Sequence, residues 1–528
     1  MFDLPPLTTA LFGLSALALA IRFVTQKYPD LHPFALFHQS SISPVRNSDE
    51  SAIHRSIITP FTYPLVSGLN IREGHSFRDG DLRDVWDLAK AGKIGTFDKE
   101  SGQIKYYNHE SDLTPKLHIA ANQFNHFVAN VKRIAICLPN CIENIVASFA
   151  CAHYNIASVL LPLTNDSGIL TACLKLTEPE ILVCVAGALD FNTLTLPSSV
   201  KCIVLVDTAG DARMDWSSQL RTVLGGSILV HTWDQVVSSS SRLPSEKQSS
   251  VEDNFAETAV IVPYTRSNGE VLKAEFTHKN LVAAIAAQLR IIPHGHTWKT
   301  TDVVVPVEPL QGLYSRVLLF SALATGATVV LCGTTGHGFD IDAVKAVNPS
   351  ILIISPKTLR EITAYTPNLL VNLRIKRAEG ILAFGTLPAP IIRGFSNLRI
   401  LYTHEDQPPT LESLSCTSKD KSADSFTSED LSLARALLGT HIIYALTHAC
   451  TAGSLCQTHL LDYRNLGPIR VFGSVLPSLE AVVKDVEQLQ AKDRRGSLFV
   501  RGPSVSARGW VSTDIVGEWG DDGCFREL

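Results

Sequence analysis

Apolar residues along this chain come in short blocks separated by polar turns. Arg133-Ile134-Ala135-Ile136-Cys137-Leu138 is one such block, closed by Pro139-Asn140. Residues 143–153 then read as a helix and 158–163 as a second buried strand. The alternation continues with a helix over 169–176 and strands over 181–185 and 202–206. Past a Ser-rich polar linker at 238–253 it resumes with a strand over 259–262, a helix over 281–289 and a strand over 303–305. A helix over 317–325 follows, then strands over 328–331 and 351–354. Strands that are apolar on both faces and alternate with helices predict a parallel sheet covered on both sides.

Three stretches break this rhythm. Residues 28–115 are rich in Pro, Ser, His and charge and read as an irregular lead-in. Within them, 81–91 places Leu82, Val85, Trp86, Leu88 and Ala89 at helical spacing. Residues 403–430 are polar and read as a looped insertion. From 474 to 501 the pattern becomes alternating strands punctuated by Arg495-Gly496 and Gly502-Pro503. The predicted architecture is therefore α/β: two doubly wound α/β subdomains over 116–470 and a small β-rich subdomain over 471–528.

The N-terminus stands apart. Residues 7–21 (LTTALFGLSALALAI) are apolar, with Arg22 and Lys27 after them and Asp3 before. A full membrane span needs about 20 apolar residues; extension to Val24 approaches that length if Arg22 snorkels. Ala18-Leu19-Ala20 also has the form of a signal-peptide cleavage site, but a signal peptide carries its positive charge before the apolar run. The expectation is an anchor helix within 1–27. The positive-inside tendency then leaves the body in the cytosol, on the endoplasmic reticulum or another intracellular membrane.

Composition narrows the classes. The 528 residues are 45% hydrophobic with a net charge of −5 and no basic tract, which gives no footprint for nucleic acid. The eleven cysteines are scattered through apolar runs. They read as buried free thiols of a reducing compartment, and no metal site is expected.

Eight short segments occur in the order of a known family. They are residues 133–140 followed by Glu143, and 259–281 (AVIVPYTRSNGEVLKAEFTHKNL, against YTSGTTGxPKGVxxTHxNL). Next come 302–331, then 349–356, then Phe384-Gly385-Thr386-Leu387-Pro388 against SGxAP. Tyr444-Ala445-Leu446-Thr447-His448 follows, against YGxTE. The last two are 473–509, ending in an RGPSV run, and Thr513-Asp514-Ile515-Val516-Gly517-Glu518-Trp519, against TGDIGEW. Together they resemble the adenylate-forming (AMP-binding) superfamily, most of all the long-chain fatty acyl-CoA synthetases.

That resemblance implies a carboxylate, such as a fatty acid, activated by ATP and Mg²⁺ to an acyl-adenylate and then passed to coenzyme A. It places Thr265, Ser267 and Lys273 on the phosphates, with Asn268 and Gly269 shaping the loop. It places Gly385, Thr386, Leu387 and Tyr444 around adenine, Thr447 near the α-phosphate and Asp514 on the ribose. Several positions depart from the pattern. Arg266, Ser267 and Ala274 replace Ser or Gly in the loop, whose glycines let backbone amides face a phosphate. His448 stands where the family binds Mg²⁺ through Glu, and imidazole is a poor ligand for that ion. Tyr314, after Pro309-Leu310, is placed either to line the acyl pocket or to begin a surface helix. The family's C-terminal lid domain, with the Lys that drives adenylation, is expected to be absent, since the sequence stops at Leu528. Two functional readings follow: a membrane-associated acyl-CoA ligase, or a catalytically impaired pseudoenzyme that binds an acyl chain, a nucleotide or a protein partner.

Overall fold

The buried runs assemble into two sheets. The computed structural model describes residues 15–16, 28–70, 80–207, 228–238, 256–266, 269–332, 340–366, 368–407, 425–486 and 489–528. The smaller sheet has seven strands in the order Val271–Thr277, Thr258–Thr265, Ala157–Leu160, Arg133–Cys137, Ile181–Val185, Cys202–Val206 and Leu229–Thr232. Every pairing is parallel except the first, a hairpin.

The larger sheet has fifteen strands. Its parallel centre runs His441–Thr447, Ile400–Asp406, Ile351–Ile353, Val303–Pro306, Thr328–Cys332 and Ile94–Asp98. The C-terminal strands extend this sheet in antiparallel fashion: Ser454–Gln457 pairs with both His441–Thr447 and Val471–Val475. The β-rich tail is thus one continuous arm of the large sheet.

One apolar core joins the two sheets. Ile134 and Val183 of the smaller sheet meet Val304, Tyr402 and Ile443 of the larger one through Phe149, Ile285 and Phe320 of the intervening helices. Helix Leu313–Ala324 is buried at every position from Leu313 to Leu323. Such all-round burial erases helical amphipathicity, so only part of that helix shows in the sequence pattern. Helix His278–Arg290 begins with a capping box between Thr277 and Asn280. The Asn280 amide also donates to Pro503 O at 2.7 Å and Val505 O at 3.0 Å. The Thr-His-x-Asn part of the motif therefore starts a helix and fastens it to the C-terminal arm.

Two sequence expectations are corrected. The lead-in over 28–115 supplies strands at both edges of the large sheet: Ser40–Ile42 and His54–Ser56 at one end, Ile94–Asp98 and Gln103–Tyr107 at the other. The polar insertion over 403–430 is trimmed at both ends, because strand Ile400–Asp406 and helix Ser428–Leu438 occupy its flanks. The expected linker at 238–253 lies outside the described residues apart from Ser238. The expected anchor over 1–27 does too, apart from Ser15 and Ala16. Among the described residues no helix is long and apolar enough to cross a membrane.

Candidate active site

The neighbouring parallel strands Ile400–Asp406 and His441–Thr447 set the site by their register. Asp406 lies opposite Thr447 and His404 opposite Ala445. Side chains alternate along a strand, so Tyr402, His404 and Asp406 share one face with Thr447. Thr403 and Glu405 share the other with Tyr444. The first face opens on a cavity of ≈ 120 Å³ at the carboxyl ends of the strands, the usual place for ligands in open α/β sheets. It is lined by Tyr264 from the hairpin, Glu308, Gln311 and Tyr314 after the strand Val303–Pro306, and His404, Asp406, Thr447 and His448.

The walls are polar and tightly held. The Thr447 hydroxyl donates to the Asp406 carboxylate and to Glu405 O at 3.0 Å. His404 Nε2 lies 3.6 Å from Asp406. Burial pulls the His404 imidazole down, yet attraction from Asp406 and Glu308 outweighs it and its pKa is raised. Asp406 is pushed up by burial and down more strongly by the charged form of His404 and the Thr447 hydroxyl, so it stays low. Desolvation alone drives the Tyr314 phenol well upward before its neighbour Tyr402 adds to the effect. Tyr314 OH, His404 Nδ1 and Gln311 Oε1 are buried without a hydrogen-bond partner among the described residues. Buried polar atoms are normally satisfied, so three on one cavity wall mark a place for a polar guest.

The loop Glu308–Gly312 that carries part of this wall is fixed from beneath. Asn140 donates to Pro306 O at 2.9 Å and Glu308 O at 2.8 Å, and accepts from Leu310 N–H at 2.9 Å. Arg316, fully buried, donates to Leu310 O at 2.8 Å, Ser148 Oγ at 2.5 Å and Asn144 Oδ1 at 3.0 Å. Burial lowers its pKa to about 10, so it remains a cation.

The expected site residues divide into groups. Thr447 and His448 line the cavity. Asp514 stands nearby, 3.7 Å from Arg266, in the left-handed region at φ 56. His448 Nδ1 accepts from Cys450 N–H at 3.0 Å. Burial, only partly opposed by Asp514 and Asp406, lowers its pKa to about 4, so it is a neutral imidazole. Thr265 is buried in the hairpin opposite Val271, off the cavity wall. Ser267 and Asn268 lie outside the described residues. Gly269 closes the hairpin at φ 83: its N–H donates to Arg266 O and Arg266 N–H to Glu270 O, both at 2.9 Å. Those two amides are used within the turn.

Other residues are not brought to the cavity. Lys273 pairs with Glu275 at 2.8 Å on the strand Val271–Thr277. Tyr444 points to the opposite face of the sheet, where it stacks on Phe472 at 5.1 Å and bonds Glu405. Gly385 packs against Pro29 and accepts from Asp30 N–H at 2.8 Å. Thr386 bonds Ile381 O and Leu387 packs on the central core. The parallel neighbour of His441–Thr447 is Ile400–Asp406, so His404 and Asp406, rather than residues 385–387, stand beside Thr447 at the cavity. The sequence reading missed them, with Glu308 and Gln311, because polar residues at the end of a strand look like loop. The visible signal was the period-two series Tyr402, His404, Asp406.

Among the described residues no group of three or more His, Cys, Asp or Glu could hold a metal ion. The carboxylates on the cavity wall are Asp406 and Glu308, beside the neutral His448 imidazole, a set too small for an Mg²⁺ held by protein alone.

Residues 117–510 match the family model described as AMP-binding enzyme. The chain is similar to an uncharacterized protein of Saccharomyces cerevisiae, 22% identical over 576 residues that cover 98% of this chain and 97% of that protein. Among solved structures it resembles coronafacic acid ligase from Pectobacterium brasiliense, with TM-score 0.57, 14% identity, and 85% of this chain and 78% of that one covered. ATP-bound MatB from Rhodopseudomonas palustris gives TM-score 0.58, 14% identity, and 85% and 78% coverage. The luciferase-like enzyme of the mealworm Zophobas morio gives TM-score 0.59, 13% identity, and 88% and 98% coverage. At these identities the structures share the fold.

Proposed function

The chain belongs to the AMP-binding enzyme family, and from that membership we propose that it holds a small polar carboxylic acid in the His404 cavity and is impaired in activating it with ATP. The observation that carries the reading is the set of unpartnered atoms on one wall: Tyr314 OH, His404 Nδ1 and Gln311 Oε1. Asp406 and Glu308 favour the charged form of His404, which presents Nδ1–H as a donor beside the Tyr314 hydroxyl, the two rings 4.9 Å apart. Two such donors suit a carboxylate. Gln311 Oε1 is an acceptor, which favours acids that also bear a hydroxyl or amide.

Size limits the acid. A cavity of about 150 Å³ accommodates one benzene, and this one is ≈ 120 Å³. A long acyl chain needs the walls to move, so short acids are the preferred class over long-chain fatty acids. Impaired activation is supported by the Lys273–Glu275 pair, the neutral His448 and the Tyr444 ring turned to the far face.

A second reading, a working ligase that forms an acyl-adenylate and then acyl-CoA, is favoured by the Asp406–Thr447 pair at the cavity and by the retained Asp514. Calorimetric titration of the full chain with short hydroxy acids, benzoate and palmitate, combined with a pyrophosphate-release assay in ATP and Mg²⁺, separates the two. Expected are binding of the short acids, at least tenfold weaker binding in His404→Ala, and no acid-dependent pyrophosphate. Release of pyrophosphate with any acid makes the ligase reading correct. Absence of binding by every short acid ends the proposal.

A further inference from the structure

Helix Leu369–Ala383 packs on the body through Ile375, Ala378 and Leu382. Its outward side is also apolar. Leu369, Leu370 and Leu373 are 77%, 73% and 57% exposed, and Phe384, which caps the helix, is 76% exposed. Leu369, Leu373, Gly380 and Phe384 recur at four- and seven-residue spacing, which aligns them on one stripe opposite the packed face. Exposed Arg377 sits within that stripe, with exposed Arg374 and Lys376 along its borders. Scattered surface leucines need no explanation, but exposed leucines at one end of the helix, exposed Phe384 at the other and the cations Arg374, Lys376 and Arg377 between them on the outward side suit an anionic lipid interface.

A second observation indicates what covers it. Pro29 packs against Gly385, and Asp30 N–H donates to Gly385 O at 2.8 Å. Tyr28, next to this contact, is 82% exposed. The described body thus begins at Tyr28 beside the Phe384 end of the helix, four residues after the apolar run 7–24 ends in the sequence. Aromatic side chains such as Tyr28 favour the level of the headgroups.

We propose that helix Leu369–Ala383 and Phe384 dock on an anionic bilayer surface, with the leucines and Phe384 entering the acyl boundary and Arg374, Lys376 and Arg377 engaging the headgroups. The surface lies apart from the His404 cavity and does not depend on which acid that cavity binds.

The test is flotation of the full chain with phosphatidylcholine vesicles, with and without about 30% phosphatidylserine. It is read as the ratio of the two affinities, so that any charge-independent contribution of residues 7–24 cancels. A cation near an anionic surface strengthens binding about fivefold. Arg374→Gln/Arg377→Gln is therefore expected to lower the phosphatidylserine-dependent ratio about 25-fold against wild type, with an unchanged circular dichroism spectrum. Phe384→Trp adds a position reporter whose emission is expected to shift blue and be quenched by brominated lipid. A ratio unchanged in the double variant, or an indole reporter at this position that bromolipid does not quench, overturns the proposal. So does a change of oligomeric state in Leu369→Ser/Leu373→Ser with vesicle binding intact, which assigns the stripe to a protein interface.

Discussion

Asn140→Ala tests how the cavity wall is held. Asn140 is 2% exposed. Its side chain satisfies Pro306 O, Glu308 O and Leu310 N–H at 2.9, 2.8 and 2.9 Å. Truncation orphans all three backbone groups, at about 1–3 kcal/mol each if they stay dry. The loop borders a cavity, so water can reach part of it, and a net loss of about 4 kcal/mol is expected. Unfolding entropy of roughly 2 cal/mol/K per residue converts that loss to about 4 °C in Tm if the whole chain melts as one unit, and to more if a smaller unit melts first. Hydrogen exchange gives the local readout: the Leu310 amide is expected to lose its protection, and acid binding to weaken because Glu308 and Gln311 share the loop. Asn140→Asp keeps the acceptor for Leu310 but sets a carboxylate oxygen against two carbonyls, so it is expected to be at least as harmful at neutral pH. A Tm within about 1 °C of wild type together with unchanged Leu310 exchange would show that the loop is held by something else.

Acid sensitivity follows from the buried histidines. Burial, aided by Arg494 at His54, lowers His54 to about 3 and His153, His278, His441 and His448 to about 4. Between about pH 6.5 and 4 the unfolded chain binds protons at these sites and the folded chain does not, so stability falls as pH drops, by about 1.4 kcal/mol per unit for each such histidine. His404, raised instead, contributes stability that is full below its unfolded pKa and fades as pH rises through its folded one. A melting temperature that stays level from about pH 7 to 5 would contradict the burial of this group. Lys273→Ala removes a part-exposed ion pair, and the expected cost is under about 1 kcal/mol with acid binding unchanged; lost binding in calorimetry would return Lys273 to the site. Gly473→Ala forces a side chain into the left-handed region at φ 75 and against the Gln457 carbonyl; a loss of at least about 2 kcal/mol is expected, and normal denaturant stability would refute the strand geometry there.

The sequence by itself determined the α/β class, because strands buried on both faces must be apolar throughout, as Ile181–Val185 and Cys202–Val206 are. It also determined the family order of motifs and the presence of helix His278–Arg290, read from 281 because its first turn, capped by Thr277 and Asn280, is polar. Tertiary structure decided everything that depends on pairing between distant strands. Tyr444 looked like a site residue in its motif, yet the register of His441–Thr447 turns it to the Phe472 side. Residues 385–387 carried a local likeness, but the neighbour of that strand is Ile400–Asp406, which brings His404 and Asp406 to the cavity. Local chemistry is written in neighbouring residues; which face a strand shows, and to whom, is set by hydrogen-bond partners scores of positions away.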